Sequence, residues 1–256
     1  RSSISDLICK GVKPRFYFVS GSGNKKTFSS TNLKKISKSL SQEQKNYGIF
    51  LGGGDTVFSK KLSFTITSIG FSKKIIFRNK AKLNDDIYVT GNLGDSFAGL
   101  KVLKKELNIK KSFRKYFEKK YYQPDLNLEL TNKLFSFANT SIDISDGLVT
   151  DLEKLINKQR LSYKLYSNLI PISKNLKKLL IMKKFNKNFF ISKGDDYQIL
   201  FTANPSKSGI INKTAKSLDI KISKIGKIGP ISQKSQIIDQ IGNKIALKNK
   251  GYYHKF

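Results

Sequence analysis

The chain has 256 residues, 49 Lys+Arg against 18 Asp+Glu, a net charge of +31 and a single cysteine. That length can bury a sizeable core as one large domain or two small ones, and no apolar run approaches the roughly 20 residues that a membrane span needs. The lone Cys9 excludes an internal disulfide framework and a cysteine-based zinc site, and fits a small buried side chain in a reducing, cytoplasmic compartment.

Residues 1–80 read as one α/β unit. Residues 4–11 have the apolar spacing of a short helix, 16–20 form a brief apolar strand, and Gly21-Ser22-Gly23-Asn24 reads as a turn. Residues 31–47 carry Leu33, Ile36 and Leu40 at helical spacing. A strand-like 49–51 then leads into a glycine-rich turn, Gly52-Gly53-Gly54-Asp55-Thr56. Leu62, Phe64 and Ile66 alternate with Ser63, Thr65 and Thr67, the pattern of a strand with one buried face. The opening Ile4-Ser5-Asp6-Leu7 reads as mid-domain sequence, so a segment ahead of Arg1 is expected.

A second unit, 81–256, begins with a compact strand at 86–91, a turn at Gly94 and a helix over 97–107. A Lys- and aromatic-rich stretch at 110–122 ends before Pro124, and a helix is expected over 126–138. Residues 141–144 read as a strand and 148–156 as a helix with Leu148, Leu152 and Leu155 on one face. Then come Ile170-Pro171-Ile172, a helix around 176–182, a turn at Lys193-Gly194-Asp195-Asp196 and a strand at 197–202. Alternating strands and helices give the class as α/β (α+β) layering in two domains.

In so basic a chain, four aspartates beside glycine or serine in turns stand out: Asp55, Asp95, Asp143 and Asp146. Glycine lets the backbone approach a phosphate closely, and a carboxylate offers hard oxygen to Mg²⁺. Ile142-Asp143-Ile144-Ser145-Asp146-Gly147 is the sharpest. A strand delivers Asp143 and Ser145 on one side, Asp146 sits at the turn, and the following helix N-terminus offers N–H groups to an anion. A plain helix cap is the structural alternative for Ser145 or Asp146. Three successive glycines before Asp55 exceed what a hairpin requires and suggest close approach of a ligand. Asp95 or Ser96 reads as the cap of the helix at 97, and the lone His254 as a surface or packing residue. With no Gly-Lys-Ser/Thr word and no nucleophile–base pair, phosphate chemistry here would rest on Mg²⁺ and positioning.

The charge also admits a nucleic-acid partner. Against it, only five basic residues are Arg (1, 15, 78, 114 and 160), and phosphate and base recognition usually adds Arg's planar fork to Lys. Lysines are scattered through every segment of a chain equally rich in Ile, Asn, Phe and Ser, as AT-rich codon usage would produce. A basic nucleic-acid-binding module is therefore the alternative from outside the enzymes. In either case the positive field draws in anionic nucleotides.

Taken in order, these words resemble the thiamine-monophosphate kinases, of the aminoimidazole ribonucleotide synthetase and selenophosphate synthetase superfamily. The matching words are Ser5-Asp6-Leu7, Gly53-Gly54-Asp55-Thr56, Asp86-Ile87-Tyr88-Val89-Thr90-Gly91 with Gly94-Asp95-Ser96, the word from Ile142 to Leu148, Ile170-Pro171-Ile172-Ser173, Gly194-Asp195-Asp196-Tyr197 and Gly251-Tyr252-Tyr253-His254. The resemblance implies a two-domain aminoimidazole-ribonucleotide-synthetase-like fold with a truncated N-terminal domain, and pairing into a homodimer through N-terminal domains. It implies in-line transfer of phosphate from ATP to thiamine monophosphate, assisted by several Mg²⁺ ions. It also implies that Asp6, Asp55, Asp143 and Asp146 ligate Mg²⁺, with Asp146 foremost for catalysis. Tyr47, Gly54, Asp55, Arg78 and Ser145 would contact ATP, and Asp195 and Tyr252 the thiamine substrate. The family carries further aspartate words ahead of the point where this chain starts, so weak nucleotide binding and slow turnover are expected. Asp195 stands where Glu is usual and Lys193 where glycine is. Another ATP-using member of the superfamily, selenophosphate synthetase-like, is the alternative enzyme.

Overall fold

The structure, a computed structural model, describes residues 1–247 and 251–252, so His254 lies outside the described residues. α1 (Ser2–Cys9) buries Ile4, Ser5, Ile8 and Cys9 on one face. β1 (Lys13–Gly23) follows, then α2 (Ser30–Tyr47), which Ser29 caps by accepting from the Asn32 N–H and which Gly48 ends with φ 60°. β2 (Phe50–Phe58) and β3 (Ser63–Phe71) complete a three-stranded sheet of order β2-β1-β3. β2 lies parallel to β1, as the α2 crossover requires, and β3 antiparallel to it.

Three expectations fail in this unit. Gly21–Gly23 do not turn, because β1 stays paired with β2 as far as Gly23 and with β3 as far as Ser22. The Gly52–Gly54 run is not a turn either but lies inside β2. The β1–β2 register slips beside it, with Tyr17 opposite Leu51 and Phe18 opposite Gly53, so Gly52 is the extra residue of a bulge. A Cβ on Gly54 would come within 1.9 Å of the Val19 carbonyl oxygen, so the close approach that demands glycine is made by the neighbouring strand. Lastly, Phe64 and Ile66 of β3 are 42% and 40% exposed where a buried face was expected. They belong to an exposed apolar sheet that includes Phe16, Phe18, Phe50, Phe58 and Phe71.

The rest of the chain runs β4 (Asp86–Thr90), α3 (Asp95–Leu103), α4 (Lys111–Tyr122), a 3-10 turn Leu128–Leu130, α5 (Thr131–Leu134), β5 (Ala138–Asp143) and α6 (Leu148–Ile156). It continues with β6 (Leu161–Tyr166), α7 (Lys174–Lys183), α8 (Lys187–Ile191), β7 (Ile199–Ala203), α9 (Ser208–Ser217), β8 (Ile222–Pro230) and β9 (Gln236–Ile238). These strands form a six-stranded sheet of order β5-β7-β4-β8-β6-β9, antiparallel except at β6–β9. The expected helix over 126–138 shrinks to a 3-10 turn and one α-turn, because 138–143 pair with β7. The helix expected over 97–107 begins at Asp95 and ends at Leu103.

β4 and β7 are buried throughout and alternate between two cores. Ile87, Val89 and Leu200 pack with the α6 residues Leu148, Leu152 and Leu155, whereas Tyr88 and Phe201 pack with Ile4 and Ile8 of α1. The paired rings of Tyr88 and Phe201 stack at 5.3 Å. Because β7 opposes both β4 and β5, its start and the ends of those two strands meet at one edge of the sheet, where the sequence words gather.

Gly54→Ala should cost about 1–3 kcal/mol, since β1 and β2 must part to admit the methyl group. Chemical denaturation of ligand-free protein measures this; unchanged stability would mean that the glycine is kept for a ligand rather than for Val19.

Candidate functional site

The loop between β5 and α6 is built by a buried carboxylate. Asp151, 1% exposed, accepts hydrogen bonds through Oδ2 from the N–H groups of Ser145, Asp146 and Gly147 at 2.9, 2.8 and 3.1 Å. These are N–H groups that the sequence offers to an anion; the chain's own carboxylate takes them. Neither Ser145 nor Asp146 caps α6, whose N-cap is Gly147 without a side-chain bond. With the backbone held from behind, the side chains of Asp143, Ser145 and Asp146 are free to point elsewhere.

Asp143 and Ser145 point into a cleft of about 400 Å³ that they line with Asp6 and Tyr197, walled by Phe64 and Ile66 of β3. Ser5 Oγ donates to Asp143 Oδ2 at 2.7 Å, and Ser141 Oγ donates to the Cys9 carbonyl, so α1 lies along β5 and brings Asp6 towards Asp143. Burial, and then the negative charge of Asp6, push the Asp143 carboxyl up to about 6. Two carboxylates whose charges oppose each other in one cleft offer the hard oxygen donors that suit a divalent cation.

Asp146 turns to the other side of the loop and forms an ion pair with Lys154, which also reaches Asp151 at 3.3 Å. The loop leading into β7 packs directly against it. A Cβ on Gly194 would come within 1.8 Å of the Ser145 carbonyl oxygen, and the Asp195 N–H donates to that oxygen at 2.9 Å. Asp195, at φ 66°, accepts from the Tyr197 hydroxyl at 3.3 Å; its carboxyl is raised by burial and then by Asp146. The Tyr252 N–H donates to the Asp146 carbonyl at 2.9 Å, and the Tyr252 side chain is 59% exposed. The structure thus gathers Ser145, Asp146, Asp195 and Tyr252 around one loop, with Asp6 and Asp143 on its cleft side.

Other predicted residues stand apart. Tyr47 is buried under the Arg1 guanidinium, 5.3 Å from its ring centre, and lines a second cleft of about 440 Å³ that meets the first at Arg1. Arg1 also holds Glu43 at 2.7 Å and the Pro124 carbonyl at 2.9 Å, tying α2 to the loop before α5. Gly54, Asp55 and Arg78 line neither cleft: Gly54 and Asp55 are exposed on β2, and Arg78 is exposed near Lys10. Among the described residues no three His, Cys, Asp or Glu side chains come together in a metal-holding group, so two of the four expected ligands converge and two do not. Asp95 and Ser96 do not cap α3 with their side chains. That role falls to Asp196, 5% exposed, which accepts from the N–H groups of Gly94 and Ser96 at 2.7 and 3.4 Å. Sequence reasoning gave no part to Ser5, Asp151 or Lys154. An acid four residues into a helix that lacks a Ser or Thr cap is the signal that could have found Asp151.

The AIR synthase related protein, N-terminal domain family matches residues 1–72. The thiamine-monophosphate kinase of Buchnera aphidicola subsp. Acyrthosiphon pisum (strain APS) is 34% identical over 258 residues, covering 98% of this chain and 77% of that one. The chain belongs to the thiamine-monophosphate kinase family. The kinase of Haemophilus influenzae (strain ATCC 51907 / DSM 11121 / KW20 / Rd) is 31% identical over 233 residues, 89% of this chain and 69% of that one. Among solved structures, the thiamine-monophosphate kinase of Stenotrophomonas maltophilia K279a superposes with a TM-score of 0.83 at 26% identity, over 93% of this chain and 75% of that one. AaThiL complexed with AMPPCP and TMP gives 0.83 at 24% identity, over 98% and 77%. The mixed α/β architecture of two sheets is thus that of the thiamine-monophosphate kinases.

A carboxyl raised from 3.8 to about 6 by folding binds its proton more tightly in the folded state. Folding stability must therefore fall as pH rises through that interval, and the loss persists at neutral pH. Asp143→Asn should raise the Tm of metal-free protein by a few degrees at pH 7.5 and flatten the Tm curve between pH 4 and 6. Thermal melts across that range measure it; a Tm lowered by the substitution would show that the ionised carboxylate stabilises the cleft.

Proposed function

We propose that this protein transfers the γ-phosphoryl group of ATP to thiamine monophosphate, forming thiamine diphosphate and ADP by direct in-line displacement. A terminal phosphate oxygen of thiamine monophosphate forms the new P–O bond as the bond from the γ-phosphorus to the ADP oxygen breaks. No enzyme nucleophile intervenes. The observation that carries the reading, given the family, is the Asp151-held loop. It presents Asp143 and Ser145 to a cleft shared with Asp6, and Asp146 to the segments of Asp195 and Tyr252.

Asp6 and Asp143 would hold Mg²⁺, and Asp146 would join them by exchanging its Lys154 partner. When bound, Mg²⁺ supplies positive charge where two phosphate-bearing molecules crowd negative charge together. Ser145 faces the same cleft as a donor to phosphate oxygen, and the +31 field raises the local concentration of both anionic substrates. Tyr47 lies in the adjoining cleft, where Leu126, Leu128 and Ile220 offer apolar walls to a nucleotide base. Asp195 and Tyr252 flank the opposite side of the loop, towards the thiamine moiety. Gly54, Asp55 and Arg78 take no part in this reading of the single chain.

The same reading pairs two copies through the β1-β2-β3 sheet, supported by exposed Phe50, Phe58 and Phe71 at 50%, 82% and 69%. Solvent-facing apolar area on this scale is characteristic of an interface. The nucleic-acid alternative finds less support: lysines lie on α2, α4, α7 and β8 alike rather than along one element. No helix among the described residues is long and apolar enough to cross a membrane.

The test is a coupled assay for thiamine diphosphate with ATP, Mg²⁺ and thiamine monophosphate. Asp146→Asn should keep the melting profile and lower kcat by about 10²–10³-fold. Full turnover in that variant would reduce Asp146 to a surface partner of Lys154.

A further inference from the structure

The second cleft contains a hydrogen-bond acceptor whose identity is fixed by a chain of obligate donors and acceptors behind it. Gln198, 5% exposed, donates through Nε2 to the backbone carbonyls of Asp125 and Asp196 at 3.1 and 3.4 Å. A carbonyl can only accept, so the amide nitrogen is pinned there and Gln198 Oε1 must face the other way. Thr90, fully buried, accepts at Oγ1 from the Ile199 N–H at 2.9 Å, so its own hydrogen goes to Gln198 Oε1 at 2.9 Å. Both oxygens that face Asn127 therefore need a donor. Asn127 supplies it through Nδ2, at 3.0 Å to Thr90 and 3.2 Å to Gln198. Its Oδ1 is left over, with no hydrogen bond from the described residues.

Asn127 lines the 440 Å³ cleft together with Tyr47, and also lines an adjoining polar cavity of about 140 Å³ that shares Ile220 with it. The amide thus stands where two cavities join, in the same cleft as Tyr47. A nucleotide with its phosphates beside Asp143 and its base beside Tyr47 would bring an edge of that base towards Asn127. This placement rests on the function proposed above.

We propose that Asn127 Oδ1 reads the exocyclic amino group of adenine and makes this protein selective for ATP over 6-oxopurine nucleotides. An acceptor at that place gains a hydrogen bond from an amino group and meets a 6-carbonyl oxygen with repulsion between two acceptors. The amide cannot simply turn over to accommodate the carbonyl. Rotation would set Asn127 Oδ1 against Gln198 Oε1, an acceptor held in place by its Nε2 on two carbonyls, and would leave the single Thr90 hydroxyl hydrogen to serve only one of those two oxygens. Asn127 is thus a binding residue, while Thr90 and Gln198 position it.

Steady-state kinetics with ATP and ITP, which differ at this group, test the proposal alongside calorimetric binding of each Mg²⁺-nucleotide. Wild-type protein should favour ATP by about 10–100-fold in kcat/KM. In Asn127→Ala that ratio should shrink to within about threefold, mainly through a raised KM for ATP, with ITP little changed. The variant should fold, because Thr90 and Gln198 keep their bond to each other. An ATP/ITP ratio unchanged by the substitution would overturn the proposal, as would a wild-type protein indifferent to the two nucleotides or unable to bind either. Nucleotide binding with the expected Asn127 dependence, but no phosphorylation of thiamine monophosphate, would sustain this inference and overturn the function proposed above.

Discussion

The site depends on one buried carboxylate accepting three consecutive backbone N–H groups. Asp151 folds Ser145, Asp146 and Gly147 around its Oδ2, and burial raises its own carboxyl above the usual range. The ionised form is costly in that setting, and the N–H groups together with Lys154 offset the cost. With those donors satisfied internally, the loop has no need to collapse onto its own side chains. Asp143 can then face Asp6 on one side while Asp146 faces the Asp195 and Tyr252 segments on the other.

The same device appears a second time at the same edge of the six-stranded sheet. Asp196 holds the N–H groups of Gly94 and Ser96 from across the fold, and burial raises its carboxyl well above the usual range. Asp95, freed from capping, accepts instead from Ser173 and Tyr116. In a chain with only 18 acids, buried aspartates that brace loops are as prominent at this edge as those that face a cleft. The clefts adjoin: the one lined by Asp6 and Asp143 shares Arg1 with the one lined by Tyr47 and Asn127.

Local periodicity made α2, α6 and α7 legible, because each carries apolar residues at helical spacing and α2 and α7 begin at a serine cap. It failed where long-range pairing overrides local preference. The triple glycine reads as a turn until β1 lies beside it, and the helix expected to run to residue 138 stops short of β5, which starts there beside β7. Phe64 and Ile66 alternate as a half-buried strand should, yet both remain exposed in the single chain. The Asp143–Gly147 word was visible because its residues are adjacent in sequence. The contributions of Ser5, Asp196 and Asn127 were not, since each acts on residues 37 to 138 positions away, or through a hydrogen-bond direction that no letter records: Ser5 on Asp143, Asp196 on Gly94 and Ser96, Asn127 between Thr90 and Gln198. Asp55 and Arg78 carry the right chemistry in the sequence, but β2 and the loop beside Lys10 set them outside the clefts.

Anomalous diffraction from crystals grown with Mn²⁺ in place of Mg²⁺ and a non-hydrolysable ATP analogue tests the arrangement most directly. A peak bounded by the carboxylates of Asp6 and Asp143, with the Ser145–Gly147 amides still on Asp151, is the expected result. Cations bound only elsewhere, or a loop whose amides had left Asp151 to bind phosphate, would contradict the account.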